Sequence, residues 1–531
     1  MLSVERPAVV NAKIAFVITI IFVAFQIQMS IRDGTLGLPP TYDDVGYFVD
    51  AANRVGEFLR GGLAEMTKGY FSSPPHAPGS TLLAALGFLL FGMAPISAAL
   101  ANSIPLFFLT LAILQLCDRL PLGVAVITVT SLLLIPIFGL AIVEFRPDMW
   151  SAIFTVVGTL FIIFGNTYPY RNWAILAGIA FATALLMKPT FSPMVVMLFG
   201  TAIVLRWIPL TRQSENWMQA AKSVGLIVGI PLILAGLHYM LALPELVEYY
   251  RWHVFGAASS VWQPNLTVLS QLLYYVSGPG GRPTIGLWLL PCAATLAIPF
   301  WLWRYRRWSA LRAAISLVFL GSLAYVIVTI PGMKSPFVGM VFPAYLVSGV
   351  VISVVFVLRE LCTRGAQRMA VTFSVVLLLF AVGTYRSPWI ALHGSGVPLG
   401  FAADRFEVLD RVTHALSQQP GLGQEKVLFT QIAQYLNPDT LTFRLQQANE
   451  PVPEFLSNYL SDDIKSYAQF FERATYVVAM TPANSLVLSW LPGAKIADKV
   501  FEQIVPSGFE LISEIPESGG TGQVQIYRRV K

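Results

Sequence analysis

Charge is what this chain has least of. Only 12% of its 531 residues are Asp, Glu, Lys or Arg, against about a quarter in soluble globular chains, while 55% are hydrophobic. That deficit excludes a chain solvated by water over most of its length and makes lipid the solvent. Cysteine is nearly absent. Cys117 and Cys362 flank apolar segments and Cys292 lies inside one, which excludes a disulfide framework and clustered thiol metal ligands. A small-x-small cleavage site is also lacking: the apolar run from Ile14 to Met29 is long for a signal peptide and continues as Ser-Ile-Arg, so a retained anchor is expected there.

The formal net charge of +6 raises the question of nucleic acid, but the excess is unevenly placed. Residues 1–386 carry 24 Lys+Arg against 14 Asp+Glu, and residues 387–531 carry 11 against 15. The basic part is the apolar part, where cations report topology, and no nucleic-acid partner is expected.

A membrane span takes about 17 to 25 apolar residues as helix. Eleven runs qualify or nearly so: 14–30, 95–116, 121–142, 149–165, 173–187, 191–207, 222–242, 284–303, 311–330, 336–358 and 369–385. A twelfth stretch, Ser80 to Met93, is 14 residues long and set off by prolines, which suits a re-entrant or interfacial helix. Charge decides its status. With Arg6 and Lys13 on the cytoplasmic side and no span at 80–93, the inner loops hold Arg119, Arg171, Arg206, Arg212, Lys222, Arg304, Arg306, Arg307, Arg312, Arg359, Arg364 and Arg368. Beyond residue 93 the outer connections hold only Arg146, Lys188, Arg251, Arg282, Lys334 and Arg386. A span at 80–93 would invert that bias. The expected architecture is therefore an all-α polytopic domain over 1–386, with about eleven transmembrane helices. A first external loop with juxtamembrane helices covers 31–93, a second external loop 243–283, and a small external α/β domain 387–531.

Ionisable groups avoid the span centres, where a coupled carrier usually keeps them. Ten of the fourteen acids of the membrane part fall outside, so any chemistry is expected at the outer face. There, Asp43 and Asp44 precede Val45, Phe48, Val49, Ala52, Val55 and Leu59 at helical spacing, with Asn53, Arg54, Glu57 and Arg60 opposite, as in a helix lying on the membrane surface. An acidic pair in that place suits helix capping, a general base or a metal-binding carboxylate. Ser72 to Gly79, Glu144-Phe-Arg-Pro-Asp148 and Met187-Lys-Pro-Thr190 lie at outer ends of apolar runs and can share a pocket with it. Taken singly, they are better read as an interfacial charge cluster and a snorkelling lysine. The aromatic loop from Pro244 to Pro283 suits interface anchoring or substrate gating, and Asn265-Leu-Thr267 matches a glycosylation acceptor pattern.

In this order the elements resemble the GT-C superfamily of membrane glycosyltransferases, in the branch of protein O-mannosyltransferases and lipid A aminoarabinose transferases. The residues carrying the likeness are Asp43-Asp44 with Tyr47, Pro74-Pro75-His76 in a residue order different from the family's, a non-spanning helix, and Arg146-Pro147-Asp148. The likeness covers roughly residues 10–200. It implies an inverting transferase that moves a sugar from a polyprenyl-phosphate donor to a cell-envelope acceptor, whether glycolipid, polysaccharide or protein. Asp43 is then the base and Asp44 its runner-up or a partner. The donor phosphate falls to Arg146 and Lys188, then Lys334 and Arg282. Asp148 would hold Arg146, with Glu144, Tyr47 and His76 in support. A divalent cation, if one takes part, would draw on Asp44, Glu65, His76 or His253. The expected location is the plasma (inner) membrane, with a cytoplasmic N-terminus and the C-terminal domain outside. A transporter or flippase of lipid-linked sugars is the alternative from another class, and a non-catalytic envelope-assembly protein a third.

In the C-terminal part, strands are expected at 426–429, 474–480, 509–515 and 524–529, and helices at 404–416, 462–472 and 495–503, an α/β layer without a Gly-rich phosphate loop or nucleophile elbow. Such a domain binds or positions an acceptor, or braces the membrane part.

Overall fold

The computed structural model describes residues 6–33, 36, 39–40, 43–165, 172–207, 217–254, 261, 266–278, 280–295, 308–331, 334–393, 402–433, 435–481, 487–517 and 522–530. The side chains of 32–33, 43–44, 217, 253–254, 282–283, 294–295, 308–312, 386–393 and 402–405 fall outside that description. Helices dominate up to His393. They are α1 (Ala8–Asp33), α2 (Asp43–Ser72), α3 (Pro78–Phe91), α4 (Pro95–Ala101), α5 (Ser103–Leu116), α6 (Leu122–Leu133), α7 (Pro136–Val143), α8 (Pro147–Phe164), α9 (Trp173–Met187), α10 (Ser192–Trp207), α11 (Trp217–Leu234) and α12 (Gly236–Tyr249). After short helical pieces between Val268 and Thr295 come α13 (Trp308–Thr329), α14 (Val341–Thr363) and α15 (Gln367–His393).

Among the described residues, six helical stretches are long and apolar enough to cross a membrane, and two bent pairs add to them. The first pair, α6 and α7, bends by 67° just before Pro136; the second, from Met218 to Trp252, bends by 57° after Pro231. Each proline removes a backbone donor, which accounts for the bend. Pro299, in the expected span 284–303, lies outside the described residues.

The helix α3 has 14 residues and is about 21 Å long, short of the roughly 30 Å of hydrocarbon. It buries Ser80, Leu83, Ala84, Gly87 and Phe88 and leaves Leu82, Leu86, Leu90 and Phe91 exposed. It doubles back against α4 at Gly87, where an added Cβ would stand 2.3 Å from the Ser97 carbonyl oxygen, so only glycine permits the approach.

Residues of several described connections gather in two groups. In one, the Arg6 guanidinium donates to the carbonyls of Cys117, at 2.6 Å, and Leu120, at 2.9 Å, while Arg359 pairs with Asp118 at 2.8 Å. These residues belong to three of the expected inner connections. Residues of the expected outer segments form the other.

The C-terminal domain has α16 (Ala402–Ser417), α17 (Pro438–Gln447), α18 (Ile464–Arg473) and α19 (Ala497–Glu502). They surround five strands, β1 (Lys426–Phe429), β2 (Glu454–Ser457), β3 (Tyr476–Met480), β4 (Phe509–Pro516) and β5 (Gln523–Arg529). The sheet order is β2-β1-β3-β5-β4, parallel among the first three and antiparallel at β5 and β4. Alternation along β1 feeds two cores: Val427 and Phe429 pack with α16 and α17, while Leu428 packs with α18 and α19. The strand β2 and the helix α17 are absent from the expectation above. For α17 a signal was present, since Asn437 caps its start through a reciprocal pair with Thr440 and Pro438 stands in the first turn.

Candidate functional site

The site is built where four chain turns meet at one end of the bundle. Pro147 opens α8 and Pro189 closes α9 after Met187, so prolines place Asp148 at the first turn of one helix and Lys188 just past the last turn of another. The two side chains join at 2.8 Å, with Asp148 2% and Lys188 15% exposed. Asp148 Oδ1 and the neighbouring Trp150 Nε1 are buried without a hydrogen-bond partner. The dipole of α8 favours the carboxylate at its N-terminus.

Arg146 is held by another residue than expected. Asp148 was to hold it, but that carboxylate is committed to Lys188. Instead the Arg146 guanidinium pairs with Glu144 at 3.2 Å and lies 4.5 Å above the Phe337 ring. The reason is the backbone at Phe145, which turns left-handed with φ of 41° after α7 while the Arg146 N–H bonds back to the Ala141 carbonyl at 3.0 Å. Glycine is the usual occupant of such a helix stop. Phe145 takes it because its ring is fully buried, 5.4 Å from Phe48 and 6.4 Å from Trp150.

Phe48 ties this turn to the acidic pair. It lies on α2, whose first residues are Asp43 and Asp44; the side chains of that pair lie outside the described residues. Tyr47 is buried beside it. The fourth turn follows α2: Ser80, at the start of α3, donates to the Met187 carbonyl at 2.9 Å, next to Lys188. Thus α2, the turn at Phe145, the start of α3 and the end of α9 form one contact chain. His76 is exposed, with its ring 5.2 Å from Tyr249, and Tyr250 donates to the Thr190 carbonyl at 2.8 Å, which brings the second external segment to the same place.

The remaining candidates divide. Lys334 is buried, and its ammonium caps α13 by donating to the Thr329 and Pro331 carbonyls, both at 2.7 Å. Burial pushes its pKa down. Arg282 and His253 have side chains outside the described residues, as do Trp262 and Asn265 altogether. Glu65 sits 3.6 Å from Lys68 on an exposed face, and among the described residues no three His, Cys, Asp or Glu side chains converge on a metal position.

The helix α2 departs from the expected surface helix in its polar face. Val45, Phe48, Ala52 and Val55 are buried as expected, yet Leu59 is 73% exposed and Arg54 only 5%. Arg54 turns inward to pair with Glu57 at 2.7 Å and donates to the Ser73 carbonyl at 3.2 Å. Its inward turn follows from the break at Gly61 and Gly62, which folds the second half of α2 back so that Ser73 comes beside the first half. Asp50, which accepts the backbone N–H of His76, has its pKa raised to about 6 by burial, against the pull of Arg54. Nothing in the residue pattern singled out this group, because the backbone that buries and bonds it, at His76, comes from beyond the break in α2.

No family model and no curated relative matches the sequence. Among solved structures, the chain resembles ArnT from Cupriavidus metallidurans, in its apo state and bound to undecaprenyl phosphate. Identity is 15% in both cases, the alignments cover 96% of this chain and 97% of ArnT, and the TM-scores are 0.57 and 0.56. The likeness is one of fold, and it extends from the membrane helices to the C-terminal domain.

Proposed function

We propose that this chain is an inverting glycosyltransferase that moves a sugar from a polyprenyl-phosphate donor to an envelope acceptor at the outer face of the plasma membrane. One observation carries the reading: the acidic start of α2 is packed through Phe48 and Phe145 against the turn bearing Arg146, with the Lys188 and Asp148 pair one turn away. A base and cations at one bundle end are the two requirements of the reaction, which removes a proton from the acceptor and releases a phosphate. The fold shared with ArnT, one structure of which holds undecaprenyl phosphate, supports the choice of donor class.

In this reading Asp43 takes the acceptor proton as the acceptor oxygen attacks the anomeric carbon, and Asp44 orients it or serves a divalent cation. Arg146, steadied by Glu144 and Phe337, faces the leaving phosphate together with Lys188. The N-terminus is cytoplasmic and the C-terminal domain lies outside. The test is transfer of labelled sugar from polyprenyl-linked donors by purified protein in nanodiscs, with and without a chelator. Asp43→Asn should lower the rate by about 10²- to 10⁴-fold with folding unchanged. Full activity in both Asp43→Asn and Asp44→Asn would remove the acid from the mechanism, and labelled lipid crossing the bilayer without transfer would replace the enzyme by a flippase.

A further inference from the structure

The helix α17 serves two cores at once. Leu441 and Leu445, one turn apart, are fully buried in the core that α16 shares with the sheet. Phe443 lies between them in sequence and so about 200° around the helix, and its ring, 2% exposed, belongs instead to the core of the membrane part. The stripe that carries Phe443 continues at Asp439, Gln446 and Gln447, the spacing of one helix face. Gln446 donates to the Asn53 side chain on α2 at 2.8 Å, and Gln447 to the Met93 carbonyl just past α3 at 2.8 Å. The raised pKa of Asp50 on α2, caused mainly by burial, owes a further part to the nearby Asp439 carboxylate.

The helix is anchored on both sides. In its own domain, Asn437 and Thr440 cap its start, and Arg444 pairs with Asp410 of α16 at 2.6 Å. On the membrane side, the Phe443 ring stands 5.5 Å from Phe48 and 5.8 Å from Phe88. Phe48 thus packs against Phe443 as well as against Phe145, 5.4 Å away. It follows Asp44 by one helical turn, and Arg146 follows Phe145 directly. Truncating Phe443 opens space beside Phe48 into which the first turns of α2 can settle, and the separation between the acidic pair and the cationic turn changes with them. A misplacement of about 1 Å at a reacting group is enough to slow a reaction by about 10²-fold.

We propose that Phe443 of the C-terminal domain is a positioning residue for the transfer, fixing the start of α2 through Phe48 against the turn that bears Arg146. The catalytic part of this inference rests on the transferase reading; the packing part does not. The experiment measures transfer per folded molecule by the full chain in nanodiscs. Phe443→Ala should lower kcat by roughly ten- to a hundredfold while the donor KM changes less than about twofold, and Phe443→Leu should recover most of the rate. Phe443→Val stands in if Phe443→Ala does not fold. Val500→Ala loosens the same domain from the core on the other face of the sheet, where no α17 residue packs, and should change neither constant. In the slower of Asp43→Asn and Asp44→Asn, where the base is gone, Phe443→Ala should cost less than about threefold more, whereas plain destabilisation multiplies through in full. An unchanged kcat, an equal loss in Val500→Ala, or a fully multiplicative loss would overturn the proposal. Hydrogen exchange needs no donor: protection at 45–55 and at 144–146 should fall in Phe443→Ala and hold in Val500→Ala, and equal protection in all three chains would also overturn it. Altered exchange in a chain that transfers from no donor would keep the coupling of α17 to α2 and bring down the transferase reading instead.

Discussion

Removing Lys188 should be far more damaging than its position near the surface of the bundle implies. Its partner Asp148 is 2% exposed and the pair is 2.8 Å apart. At an effective dielectric constant of about 20 the gross attraction at that separation is roughly 6 kcal/mol, most of it offset by desolvation of the two ions. Lys188→Met abolishes the attraction but leaves the desolvated carboxylate, so the expected cost is about 3–5 kcal/mol. Asp148→Leu strands the ammonium with a smaller cost, because Lys188 is 15% exposed and can reach water. The double variant removes both charges and should recover most of the loss, giving a coupling of about 2–3 kcal/mol in a double-mutant cycle. Unfolding in mixed micelles, followed by the fluorescence of the 12 tryptophans, reads each value. Additive single-variant losses would refute the reasoning. Transfer measured on the double variant then separates roles: a chain that is stable yet inactive assigns Lys188 to the donor phosphate as well as to Asp148.

Three further outcomes follow from the packing. Asp50 has a pKa raised from 3.8 to about 6, so folding binds its proton more tightly, and the stability this confers is present below pH 4 and lost as pH rises through 6. The melting temperature of Asp50→Asn should therefore climb relative to the native chain between pH 4 and 6 and hold that lead above; an equal difference at pH 4 and 7 contradicts the assignment. Phe443 of α17 is wedged against Phe48 at 5.5 Å and Phe88 at 5.8 Å, while Gln446 reaches Asn53 at 2.8 Å. Phe443→Ala should cost about 3–5 kcal/mol and raise hydrogen exchange in α2, with Phe443→Leu restoring much of the protection. Gly87→Ala drives a methyl into the Ser97 carbonyl and should cost about 1–3 kcal/mol, read as a lowered melting temperature, whereas Gly200→Ala, with open space around it, should not.

The residue pattern alone determined the solvent, the helices and their ends. A charge content of 12% left no water-soluble alternative, and the fourteen-residue apolar stretch between prolines forms the short helix α3. Loop cations divided the connections into two expected sets; of the described residues, Arg6, Asp118 and Arg359 of one set meet at one place and Arg146 and Lys188 of the other at another. Strands β1, β3, β4 and β5 were legible because apolar runs between helical patterns report local structure. The acidic pair and the motifs around it were legible as candidates, though not as partners. Local periodicity carries no information about which side chain crosses forty residues to meet another, and so the Asp148 pairing with Lys188, the inward turn of Arg54 and the wedge of Phe443 emerged only from packing. A buried ion takes whichever opposite charge the surrounding backbone brings within about 3 Å, and that distance is set by helix ends converging from remote parts of the chain.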